Sequence, residues 1–148
     1  MLTKEQLQRI AQRHHIGLAT AERDYVQTIY LYLLYERTQD LILKGGACLR
    51  IVYRSNRFSD DLDFNARGTV KSVRELLQRT THTLRRFGVE SATSDQWVAL
   101  EGYAFHLSFK GPLANDRMIT WGGMDIDVSL REEDVAVPPE RTFVSATN

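Results

Sequence analysis

The chain has 148 residues, 43% of them hydrophobic and 26% charged, a balance that fits a soluble globular domain and excludes disorder driven by charge. Nineteen basic and nineteen acidic residues cancel, which argues against a tight, nonspecific polynucleotide binder. Cys48 is the only cysteine, so an internal disulfide framework is excluded and a reducing cytoplasm is the expected setting.

The N-terminal run MLTKEQLQRIAQRHH is too polar for a signal peptide, and no apolar run nears the roughly 20 residues of a membrane span. Thr3 and Gln6 make a capping box, and Leu2, Leu7 and Ile10 give apolar spacing for a first helix ending near His14. Gly17 interrupts it. Thr20 is the expected cap of a longer helix through about Arg37, with Tyr25, Ile29, Tyr32, Leu33 and Tyr35 available for packing. His14 and His15 read as helix-end residues, because nothing at metal-ligand spacing accompanies them. Arg23-Asp24-Tyr25 reads as surface charge beside a core tyrosine.

Leu41 to Asn65 carries the densest signal. Leu41-Ile42-Leu43 is long enough for a buried strand, Gly45 and Gly46 follow, and Ala47 to Tyr53 can form a short helix. A strand, paired glycines and a helix N-terminus form a place where backbone N–H groups gather around an anion. After the polar loop Arg54 to Ser59, a strand over Asp61-Leu62-Asp63-Phe64 would project both aspartates from one face. A Gly-Gly pair alone is most often a tight turn, and an Asp-x-Asp most often a solvated edge. Together, a phosphate-sized turn and two carboxylates suit Mg²⁺ ions bridging nucleotide phosphates.

Gly68 marks a turn, and Val70 to Phe87 reads as an amphipathic helix through Val73, Leu76, Leu77, Leu84 and Phe87, closed by Gly88. Its polar side carries Lys71, Arg74, Arg79, Arg85 and Arg86, a solvated face or one that meets an RNA backbone. Short strands are expected at Val89–Ala92 and Trp97–Leu100. Tyr103, Phe105, Leu107 and Phe109 alternate as a half-buried antiparallel strand ended by Gly111-Pro112. A further strand is expected within Met118 to Arg131, with Gly122-Gly123 at a bend or bulge. There Ile126 and Val128 face one way while Asp125 and Asp127 face the other, which is costly unless the charges are paired or bind metal. Pro138-Pro139 stops regular structure ahead of a polar tail, Ser145 to Asn148. A Ca²⁺ loop of the EF-hand kind is excluded, since no twelve-residue spacing with a closing Glu is present.

Glycine pair, spacer, then Ser59-x-Asp61-x-Asp63 followed by an aromatic residue resembles the signature of polymerase β-like nucleotidyltransferases. Lys44-Gly45-Gly46, Leu49-Arg50, Arg57-Phe58-Ser59 and Asp61-Leu62-Asp63-Phe64 together resemble the AbiEii/AbiGii toxin family, which includes the MenT toxins. The resemblance implies an α+β fold with a polymerase β-like core, its mixed or antiparallel sheet flanked by helices. It implies one nucleotidyltransferase domain over residues 1–148, with N-terminal helices to residue 38 and a catalytic core over 41–131. Asp61 and Asp63 would hold two Mg²⁺ ions, and Asp127, in Ile126-Asp127-Val128, would bring the third carboxylate with Asp125 at the rim. These segments, 41–44, 61–64 and 124–130, should therefore lie adjacent.

Gly45, Gly46, Ser59, Lys44 and Arg57 would bind the NTP, whose nucleoside monophosphate is transferred to an acceptor, tRNA ends being acceptors of some members. The family also implies a toxin of a type IV toxin–antitoxin or abortive-infection system, and hence an antitoxin partner. Ala47 departs from the family's GGTAL, removing a hydroxyl from the phosphate turn. The chain covers the N-terminal half of the family's pattern, whose helical second half supplies a lysine and further acidic residues. The alternative is a non-catalytic nucleotide- or partner-binding half of a split protein, completed by a complementary C-terminal chain.

Overall fold

A computed structural model describes residues 1–114 and 121–130. The elements run α1 (Lys4–His14), α2 (Leu18–Tyr35), β1 (Leu41–Lys44), α3 (Gly45–Ile51), β2 (Asp61–Ala66) and α4 (Val70–Thr83). A 3₁₀ turn, Leu84–Phe87, then leads to β3 (Glu90–Ala99), β4 (Gly102–Lys110) and β5 (Gly122–Ser129). The strands form one mixed sheet in the order β1-β2-β5-β4-β3. β2 and β5 are parallel, and the other three neighbouring pairs are antiparallel. This is the α+β architecture expected, and the three motif-bearing segments are adjacent as required.

One sheet face is closed by helices. Val26, Ile29, Tyr30, Leu33 and Leu34 of α2 and Val73 and Leu77 of α4 share a core with Leu62, Phe64, Tyr103, Phe105, Leu107, Phe109, Met124, Ile126 and Val128. Each such large apolar side chain contributes about 1.5–3 kcal/mol on burial. The Tyr30 hydroxyl donates to the Leu77 carbonyl at 3.0 Å and lies 3.2 Å from Thr81 Oγ1, which fastens α2 to α4. The opposite sheet face holds the polar members of the same alternation. Among the described residues, no helix is long and apolar enough to cross a membrane.

The capping box of Thr3 and Gln6 forms as expected. The cap of α2 does not: it is Gly17, in an extended conformation, and Thr20 lies inside the first turn. Leu18 packs with Leu7 and Ala11 of α1, so the helix starts where that apolar contact is made. Its end is also shorter, because Arg37 N–H bonds to Leu34 in a tighter turn.

The two short strands expected at 89–92 and 97–100 are one strand, β3, interrupted by a bulge. Ser94 is in register with His106 and Trp97 with Ala104, so Asp95 and Gln96 together oppose Phe105. Asp95 has φ 53°, the left-handed region that aspartate tolerates better than most residues. Gly122 and Gly123 form no bend. They are regular rungs opposite Phe109 and Ser108. A Cβ on Gly122 would overlap the Phe109 ring, and one on Gly123 would lie 2.7 Å from His106 Nε2. The glycines make room for cross-strand rings. Met118 to Thr120, Arg131, the Pro138-Pro139 stop and the tail Ser145 to Asn148 lie outside the described residues.

Candidate active site

Strand alternation builds the site. In β2, Leu62 and Phe64 are buried while Asp61 and Asp63 point to the open face, and in β5 Met124, Ile126 and Val128 are buried while Asp125 and Asp127 are exposed. The parallel register sets Asp61 beside Asp125 and Asp63 beside Asp127. Four carboxylates thus occupy two rows on strands roughly 4.8 Å apart.

Partial burial, and then the charges of Asp61 and Asp127, push the Asp63 carboxyl above its usual range against the pull of Lys44, its cross-strand partner on β1. Asp61 is raised too, first by burial and then by the Asp125 charge, with a backbone N–H of Asp125 and the Arg23 guanidinium pulling the other way. In both, burial is the larger cause and the neighbouring carboxylates add to it.

The glycine turn touches this pair directly. Gly45 has φ 72°, and a Cβ there would lie 3.0 Å from Asp63 Oδ2, so the carboxylate rests against bare backbone. A Cβ on Gly46 would come within 3.2 Å of Ser59 Oγ. Ser59 Oγ donates to the Asp61 carbonyl at 3.0 Å and lies 3.3 Å from the Asp61 N–H. Lys44, Gly45, Gly46, Ser59, Asp61, Asp63 and Asp127 are therefore brought onto one surface. Arg57 is exposed on the preceding loop and, among the described residues, makes no ion pair with the carboxylates. Ala47 is only 1% exposed and belongs to the core. Its methyl packs in the apolar core beneath the turn.

Several positioning residues escaped the sequence reading. Arg23, Asp24 and Tyr25 are not mere surface charge beside a core ring. The Arg23 Nε donates to the Gly123 carbonyl at 2.9 Å and its Nη1 to Asp60 at 2.6 Å, bracing β5 and the acidic loop from α2. Gln27, fully buried and one turn further on, donates to the Ser59 carbonyl at 3.0 Å. Asp24 Oδ1 lies 3.5 Å from Arg50 Nε, an ion pair longer than a good hydrogen bond, and Arg50 in turn covers the Phe58 ring at 3.9 Å. The signal was present: Arg23 and Gln27 share a helix face by their i, i+4 spacing. His106, the outward residue of a strand read for its aromatic alternation, was also overlooked. Its Nδ1 lies 2.8 Å from Asp125 Oδ1.

The donor set is chemically suited to Mg²⁺, being all hard carboxylate oxygen. Among the described residues, no three acidic, histidine or cysteine side chains close around a common point. The convergence of Asp61, Asp63 and Asp127 on one metal position, as the resemblance implies, is therefore not formed by these side chains alone.

A family profile described as "Nucleotidyl transferase AbiEii toxin, Type IV TA system" matches residues 32–143. Among solved structures, the chain is similar to MenT4, a nucleotidyltransferase toxin of Mycobacterium tuberculosis H37Rv. The match has 23% identity and a TM-score of 0.61 over 88% of this chain and 44% of that one. It is also similar to a putative nucleotidyltransferase of H. pylori, at 18% identity and TM-score 0.54 over 75% of this chain and 45% of that one. At these identities the likeness shows the fold, and the chain spans under half the length of either protein. A search of curated proteins gave no match.

Proposed function

Since the chain belongs to the AbiEii nucleotidyltransferase toxin family of type IV toxin–antitoxin systems, we propose that it binds an NTP with Mg²⁺ and transfers the nucleoside monophosphate to an RNA acceptor, tRNA ends among them. The observation that carries this reading is the parallel register of Asp61 and Asp63 with Asp125 and Asp127, set against Gly45. Residues 1–148 would act as one catalytic unit, opposed by an antitoxin and working in the cytoplasm where NTP and RNA occur. The activity of a longer protein of this family belongs to the same proposal.

Asp61, Asp63 and Asp127 would hold Mg²⁺, which when bound supplies positive charge to the attacking and leaving oxygens. The backbone amides at Gly45 and Gly46 face the triphosphate, where the lack of side chains allows close approach. Lys44 adds charge beside Asp63, and Ser59 holds the start of β2 against the turn. Arg57, exposed on the loop before β2, would meet phosphate once nucleotide is bound. The acceptor oxygen attacks the α-phosphorus, the bond to the pyrophosphate breaks, and the acceptor's hydroxyl proton passes to Asp127.

The test is incubation of the chain with each labelled NTP, Mg²⁺ and total small RNA. The expected result is Mg²⁺-dependent labelling of RNA that is lost in Asp61→Asn and Asp63→Asn. NTP binding that is indifferent to both substitutions would overturn the site assignment.

A further inference from the structure

One rung crosses all five strands. Lys44 pairs with Asp63, Asp63 with Asp127, Asp127 with Ala104, and Ala104 with Trp97. Trp97 thus stands on the carboxylate face at the far end of the row that starts at the glycine turn. It is 55% exposed, which is unusual for the largest apolar side chain.

Two features put it there. The β3 bulge adds one residue between Ser94 and Trp97, and without it the alternation would turn Trp97 to the other face. Gly102 then gives the ring a seat: a Cβ at Gly102 would lie 2.8 Å from the Trp97 ring and 3.3 Å from the Val128 carbonyl. The indole rests on the bare backbone of Gly102 while the residue keeps 55% of its surface exposed. Ala104, the residue between Trp97 and Asp127 in this row, puts only a methyl on the sheet between them.

We propose that Trp97 is a stacking platform for the terminal nucleobase of the acceptor, a single-stranded RNA end, and so sets that end's ribose hydroxyl beside Asp127. The inference rests on the nucleotidyltransferase reading above. Displacement at phosphorus is in line, so the attacking hydroxyl enters opposite the leaving pyrophosphate. The triphosphate occupies the Gly45 side of the row, which leaves the β4–β3 side for the acceptor. Two strand spacings, roughly 10 Å, separate the positions of Asp127 and Trp97, about the span of a nucleoside from hydroxyl to base. Stacking also suits a surface whose neighbouring carboxylates repel phosphate, because it needs no charge attraction.

Trp121→Phe leaves Trp97 as the one tryptophan, since the chain has two. In this background, short single-stranded oligoadenylate in EDTA should quench Trp97 fluorescence, whereas ATP with Mg²⁺ should leave it nearly unchanged. Trp97→Ala should weaken oligoadenylate binding about tenfold, the usual scale for one base–aromatic stack, and Trp97→Phe should weaken it less. Gly102→Ala keeps the indole but fills its seat, so it should weaken binding as well, with folding checked by circular dichroism. Unchanged oligoadenylate affinity in folded Trp97→Ala would overturn the proposal. Quenching by ATP and not by oligoadenylate would also overturn it, because the platform would then serve the incoming nucleotide. Asp63→Asn separates the two readings: it should abolish Mg²⁺-dependent ATP binding and leave the oligoadenylate quench intact. If ATP binding survives Asp63→Asn while the quench persists, the carboxylate assignment fails and the platform stands.

Discussion

Asp63 and Asp127 face each other across parallel strands with Gly45 pressed against the first of them. Like charges held this way strain the metal-free protein, so Asp63→Asn should raise its thermal stability in EDTA. The sign follows from the raised carboxyl of Asp63, which holds its proton more tightly folded than unfolded. Its contribution is complete below the ordinary value of 3.8 and is lost as pH rises through the higher folded value. The advantage of the asparagine variant should therefore be full near neutral pH and vanish in acid. Mg²⁺ should stabilise the wild type and do less for the variant. Melting curves across pH, with and without Mg²⁺, check both statements, and a variant that melts well below wild type at neutral pH would contradict the first.

Gly45→Ala should damage both fold and site. A non-glycine residue at φ 72° costs about 1–2 kcal/mol, and the added methyl would also press on Asp63 Oδ2 at 3.0 Å. Chemical denaturation should show the stability loss, and calorimetry should show weaker Mg²⁺-dependent NTP binding even at temperatures where the variant is folded. Normal NTP affinity in the folded variant would count against the glycine turn as the phosphate seat.

Arg23→Ala removes two bonds that hold the acidic loop and β5 to α2. Loss of such charge-assisted bonds should cost about 1–3 kcal/mol. Hydrogen exchange should rise at the amides of residues 58–61 and 122–124 before the rest of the sheet. Uniform exchange across the chain would show that Arg23 supports the fold in general and not this loop.

Gly122→Ala should destabilise more than Gly17→Ala. A methyl at Gly122 overlaps the Phe109 ring and approaches Glu22 Oε1 at 2.9 Å, whereas at Gly17 it meets nothing within 4 Å. Overpacking of this kind typically costs about 1–3 kcal/mol. Equal melting temperatures for the two variants would refute the packing account.

The parts of the molecule that follow from local rules were legible in the sequence. Alternation alone gave the faces of Asp61, Asp63, Asp125 and Asp127, and the Thr3 capping box formed as read. The adjacency of segments 41–44, 61–64 and 124–130 was expected only through the resemblance, and register was not legible, because it is decided by contacts far apart along the chain. Hence Arg23 looked like surface charge until Gly123 and Asp60 came beside it. The glycine pair in β5 looked like a bend because only its cross-strand neighbours, Phe109 and His106, reveal what the missing side chains make room for. The burial of Ala47 was not legible either, since the spacing alone does not say that it faces the core.

The parallel pairing of β2 with β5 has a kinetic consequence. β3, β4 and β5 follow one another as antiparallel neighbours, while β2 must wait for a strand that is made after all of them. Closing the longer loop costs more chain entropy, so the hairpin of β3 and β4 is expected to precede the β2–β5 contact. Under that order, Leu107→Ala should slow refolding, whereas Leu62→Ala should mainly speed unfolding. Stopped-flow measurements on the two variants would show the reverse if β2 and β5 met first. On the expected route, the aspartates stay dispersed in the nascent chain and come onto one sheet face only when β2 meets β5.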